Sequence, residues 1–158
     1  MSKQRQTKSK DRGNLTEHDE QVKFFDWVNI QAQMDERYKN IFAVPNSGKR
    51  SPGALNYYYR EGLKPGVPDI AVMVAAQAYH GLFIEMKRKP NKLTKNQEDW
   101  MRRLYLAGYC VRVAWSGEEA IELVKEYFHT NTAEKKALCI RGRNLKKSTR
   151  GRKSKYDK

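Results

Sequence analysis

The 158-residue sequence predicts a single α/β domain. Three observations carry that prediction. Helical stripes alternate with short apolar runs along the middle of the chain, those runs close on turn residues, and the length suits one core but not two.

The elements follow in order. Thr16 reads as an N-cap, with Glu17, Asp19 and Glu20 in a first turn whose dipole favours acids, and Phe24, Trp27, Val28 and Gln31 follow at helical spacing. A helix is therefore predicted over 17–37. Ile41 to Val44 is a short apolar run closed by Pro45 and Asn46, a strand entering a turn. A polar loop follows, and a short helix over about 54–61 carries Tyr57, Tyr58 and Tyr59. Those tyrosines, next to Arg60, could stack on bases, although packing a helix onto a sheet is the blander account. Two strands are read at 69–74 and 82–87, the first apolar enough for burial on both faces. Thr94 and Gln97 then form a capping-box pattern, and Trp100, Met101, Leu104 and Tyr105 make a helical stripe ending at Gly108. Tyr109 to Trp115 alternates as a strand, and Ser116 caps a last helix in which Ala120, Ile121, Val124 and Phe128 face inward.

Charge divides the chain into three parts. The net +14 is distributed as +4 in residues 1–16, +9 in residues 129–158 and only +1 between them. The boundaries predicted on this basis are a flexible basic arm at 1–16, a folded domain at 17–128 and a basic, largely disordered tail at 129–158. Basic ends on a nearly neutral body suit a polyphosphate partner. No apolar run approaches the roughly 20 residues of a membrane span, and no secretory signal is visible, so a soluble, intracellular protein is expected. Cys110 and Cys139 have no spacing that points to a metal site or a disulfide framework, and a reducing interior is the natural reading. Gly48-Lys49 lacks the other residues of a nucleotide-binding loop, which excludes that class.

The chemistry lies in two short segments. In Leu82-Phe-Ile-Glu-Met-Lys87, strand alternation puts Glu85 and Lys87 on one face. Gly66-Val-Pro-Asp69 brings a second carboxylate to the start of the preceding strand, where Pro68 forbids helix. If the two strands pair as a hairpin, Asp69 and Glu85 can share a metal, with the backbone carbonyl of Met86 as a further ligand. Magnesium needs no more than one or two carboxylates completed by carbonyls and water. Either motif alone is more often structural, as a solvated charge pair or a turn. In strands that otherwise read as buried, however, Asp, Glu and Lys must be paired or bind something.

Gly66-Val-Pro-Asp69, Glu85-Met-Lys87 and Leu93-Thr-Lys-Asn-Gln97, followed by Trp100 and Gly108, resemble the VRR-NUC branch of the PD-(D/E)XK nuclease superfamily over about residues 17–116. The resemblance implies a restriction-endonuclease-like core, with a central mixed sheet flanked by helices, and hydrolysis of phosphodiester bonds in DNA with Mg2+ or Mn2+. It makes Asp69 and Glu85 metal ligands and Lys87 the group that orients water and stabilises developing charge. It adds Gln97 to the catalytic set and an acid of the first helix to the metal set, Glu20 being the best match and Glu17 its rival. Lys89, Lys92 and Lys95 would lie beside the phosphate, with Lys49 and Arg50 across the cleft. Branched or flapped DNA and a homodimer follow from the likeness to Holliday-junction resolvases; RNA is not excluded. The competing class is a non-catalytic basic nucleic-acid-binding protein with a nuclease-derived fold.

Overall fold

A computed structural model describes residues 16–45 and 52–129. Most of the predicted N-terminal arm, the tail beyond His129, and both Lys49 and Arg50 lie outside the described residues.

The first helix, α1 (Glu17–Gln31), is opened by the expected cap: Thr16 Oγ1 accepts from the Asp19 N–H, and the Asp19 carboxylate accepts from the Thr16 N–H at 2.9 Å. It ends six residues earlier than predicted. Asp35 starts a separate 3-10 turn at Glu36–Asn40 by accepting from the Arg37 N–H, the kind of side-chain bond with which aspartate competes against helical pairing. Next come β1 (Ile41–Ala43), α2 (Pro52–Arg60), β2 (Ile70–Val72), β3 (Leu82–Met86), α3 (Lys95–Leu106), β4 (Cys110–Ala114) and α4 (Gly117–His129).

The four strands form one mixed sheet in the order β1-β2-β3-β4. β1 pairs antiparallel with β2 and β2 with β3, through Ile41–Val72 and Ile70–Ile84 among other pairs, while β3 and β4 run parallel with Glu85 opposite Val113. A helical crossover is what a parallel pair requires, and α3 supplies it.

Strand alternation then gives the sheet two different faces. One carries Ile41, Ile70, Val72, Leu82, Ile84, Met86, Cys110 and Ala114, which join Phe24 and Val28 of α1 and Ala120, Val124 and Tyr127 of α4 in the core. The other carries Phe42, Ala71, Phe83, Glu85, Val111 and Val113. The expectation that the strand after Asp69 is buried on both faces holds for Ile70, Ala71 and Val72, although the strand stops at Val72 and Met73 is exposed.

One reading of the sequence is corrected. Cys110 is disulfide-bonded. Sequence spacing carries no information on cysteines brought together by folding. Among the described residues no helix is long and apolar enough to cross a membrane.

Candidate active site

The site is assembled where the antiparallel pairing of β2 and β3 ends. Beyond the Ile70–Ile84 pair the strands part, and the Met86 N–H donates to Asp69 Oδ2 at 2.9 Å. A side-chain carboxylate thus takes over the sheet's last hydrogen bond and is held at the mouth of the sheet.

Glu85 stands opposite, on the same face, and is 1% exposed. Its Oε1 faces the Lys87 ammonium at 3.0 Å and accepts from Gln97 Nε2; Lys87 is itself only 10% exposed. Lys87 is fixed from behind by its backbone N–H, which donates to the Ala114 carbonyl at 2.8 Å and extends the parallel ladder. Gln97 makes two side-chain contacts. Its Oε1 accepts from the Thr94 N–H at 2.9 Å as the capping-box partner, and its Nε2 reaches Glu85.

The electrostatics are those of a site short of positive charge. Burial pushes the Glu85 carboxyl up to about 7, the Asp69 charge adds to the rise, and Lys87 opposes it. Asp69 is also raised, by burial first, against the Met86 N–H and Lys87. Glu85 Oε2 is buried with no hydrogen-bond partner among the described residues. Two crowded carboxylates and an orphaned buried oxygen are a donor set that a hard cation would complete. Among the described residues no three His, Cys, Asp or Glu side chains group closely enough to hold a metal, so carbonyl and water ligands would have to fill the shell. The chemistry of the Asp69 and Glu85 carboxylates therefore fits a magnesium-type ion.

The first-helix acid falls differently from the expectation. Glu20 turns away from the pair: its Oε2 accepts from the Gly117 N–H at 2.9 Å and its Oε1 lies 3.6 Å from Lys23. It ties α1 to the start of α4, where a Cβ on Gly117 would meet the Glu20 carbonyl at 2.6 Å. Glu17 is the acid on the site's side. Its Oε1 accepts from the Arg88 N–H at 3.1 Å and from Asn91 Nδ2 at 3.2 Å, and its charge contributes to the rise of both Asp69 and Glu85. Both acids lie in one helical turn, so spacing could not separate them. Packing of α1 against α4 did.

Lys89, Lys92 and Lys95 are all exposed on the connection from β3 into α3, with Lys95 3.8 Å from Asp99. The tyrosines of α2 are exposed, Tyr57 at 60%, Tyr58 at 38% and Tyr59 at 41%.

Gly66 joins two halves of the site. Its φ is +88, and a Cβ there would meet the backbone of Asn96 at 2.7 Å, so the loop bearing Asp69 lies directly on the residue before Gln97. The positive φ alone costs a non-glycine residue about 1–2 kcal/mol. Gly66→Ala should therefore lower the melting temperature by several degrees and shift Asp69 against Gln97 without removing a chemical group. Calorimetry and a cleavage assay would check this; an unchanged melting temperature would show that the loop adapts freely.

A family model described as the VRR-NUC domain matches residues 4–117. A solved structure described as a VRR_NUC domain protein superposes with a TM-score of 0.60 at 30% identity, covering 72% of this chain and 88% of the other. No curated protein matches the chain.

Proposed function

The chain belongs to the VRR-NUC domain family, a family of nuclease domains, and on that premise we propose that it is a divalent-metal-dependent nuclease hydrolysing phosphodiester bonds in DNA. The observation that carries this reading is the buried Glu85–Lys87 pair facing Asp69, with one Glu85 oxygen left unpartnered. A charged group kept dry at that cost needs a use, and neither sheet pairing nor packing supplies one.

Asp69, Glu85 and the Met86 carbonyl would hold Mg2+ or Mn2+. The ion, when bound, supplies charge neutralisation at the phosphate and lowers the pKa of water. The chain's own groups do the rest. Gln97 fixes the Glu85 carboxylate, and Glu85 fixes the Lys87 ammonium. Lys87 then presents its remaining N–H donors to the attacking water and to the phosphate oxygens on which charge develops. Glu17 joins the acidic rim from α1. Lys89, Lys92 and Lys95, with Lys49, Arg50 and the basic ends, hold the backbone of the substrate by counterion release. Branched or flapped DNA is the favoured substrate class, and a two-fold junction would suit a homodimer.

The test is a panel of labelled linear, flap and four-way DNAs incubated with Mg2+, Mn2+ or chelator. Metal-dependent cleavage is expected, abolished by chelation. Tight binding with no cleavage in either metal would favour the non-catalytic nucleic-acid-binding alternative.

A further inference from the structure

Among the described residues, the sheet face that carries the site is open at its β1 edge, while Ala71 of β2 on the same face is 2% exposed. Over β3 and β4, α3 lies close enough for Gln97 to reach Glu85, and Val111 and Glu85 are buried. At the β1 edge Phe42 is 49% exposed, and Met73, just past the end of β2, is 46% exposed. Register puts both on the side of Asp69. Phe42 pairs with Ala71, two residues from Asp69 on one side and two from Met73 on the other. The ladder continues past the strand ends, with the Val44 N–H donating to the Asp69 carbonyl and the Met73 N–H to the Asn40 carbonyl. Phe42 and Asp69 are thus diagonal neighbours, roughly 7–8 Å apart.

A second set of exposed rings lies in the connection from β1 to β2. β1 ends and β2 begins at the site's end of the sheet, so the excursion holding α2 leaves and returns there. Tyr57, Tyr58 and Tyr59 are exposed on it, Tyr57 and Tyr58 lie edge to face at 5.8 Å, and Arg60 and Lys64 follow in sequence.

We propose that the open β1 edge of this face binds unpaired nucleobases, with Phe42 as a stacking platform beside the phosphate at Asp69 and the exposed tyrosines of α2 as further stacking surfaces. Aromatic faces accept any base, and lysines and arginines hold the strand between them, which is the usual construction of a single-strand groove. A second copy of the chain is the other candidate occupant. The net charge of +14 on each copy opposes it, whereas the same charge attracts a polyanion. This inference rests on the nucleic-acid part of the function proposed above, and not on cleavage.

The experiment measures binding in chelator, where nothing is cut. Fluorescence anisotropy compares a labelled single-stranded oligodeoxynucleotide with a blunt duplex of equal length, for wild type, Phe42→Ala and Phe42→Trp. Phe42→Ala should weaken single-strand binding between about fivefold and a hundredfold and leave duplex binding within about twofold, and Phe42→Trp should keep both. Equal losses on both ligands, or no loss on either, would overturn the proposal. So would light scattering that shows Phe42→Ala turning a dimer into a monomer. Selective single-strand loss in a protein that cuts no DNA with either metal would sink the nuclease reading and leave this one standing.

Discussion

Replacing Lys87 by alanine is expected to slow single-turnover cleavage by about 10²–10³-fold at saturating metal, the usual loss when one preorganised donor leaves a site. Binding of the uncut DNA should barely change, because Lys87 is one mostly buried cation among many exposed ones. The effect on the fold depends on pH. Removing one partner of a buried pair typically costs about 3–5 kcal/mol. Here the carboxyl left behind already sits at about 7 and can take up a proton, so the destabilisation should be smaller at pH 6 than at pH 8. The double variant Lys87→Met, Glu85→Gln should regain stability without regaining cleavage. That pattern separates chemistry from folding, and Lys87→Ala cleaving within tenfold of wild type would remove Lys87 from the site.

The second large effect is a dependence of stability on pH that the metal reverses. In chelator, the folded state holds a proton on Glu85 up to about pH 7, while an unfolded glutamate releases it near 4.5. The folded state therefore binds more protons across that window, and stability falls as pH rises through it. Asp69, also raised, acts in the same direction. Asp35 and Glu118 are shifted down, so they act only in more acid solution, where their stabilising effect is lost as pH falls. For Glu85 alone the change amounts to at most on the order of 3 kcal/mol, or about 10 °C in a domain of this size. Mg2+ or Mn2+ should raise the melting temperature strongly at pH 8 and little at pH 5, since the ion competes with the proton. Scanning calorimetry at the two pH values, with and without metal, reads this directly. Glu85→Gln should be flat with pH and unresponsive to metal; a wild-type slope in that variant would place the titrating group elsewhere.

Much of the fold was legible in the sequence because its signals are local. Both capping boxes, at Thr16 and at Thr94, formed as the side-chain pattern required, and alternation in 82–86 put Glu85 and Lys87 on one face. Helix ends were less legible. The turn at Asp35 divides a segment whose periodicity alone reads as one helix, because a single aspartate can cap a new start. Two placements depended on long-range information. The family resemblance favoured Glu20 over Glu17, but contact between α1 and α4 engages Glu20 at Gly117. The sequence left stacking on bases and packing on the sheet both open for the tyrosines of α2, and their exposure depends on segments distant in sequence.

The sequence by itself therefore determined the element types, the α/β class, the family motifs and the pairing of Glu85 with Lys87, all of which follow from residues within a few positions of one another. Only the tertiary structure decided what those groups meet. It aimed Asp69 at the Met86 N–H where the hairpin opens, brought Gln97 from the next helix onto Glu85, and left one Glu85 oxygen dry and without a partner among the described residues. Burial, and with it the upward shift of both carboxyls, depends on chain segments distant in sequence excluding water from one place, and no local pattern encodes that.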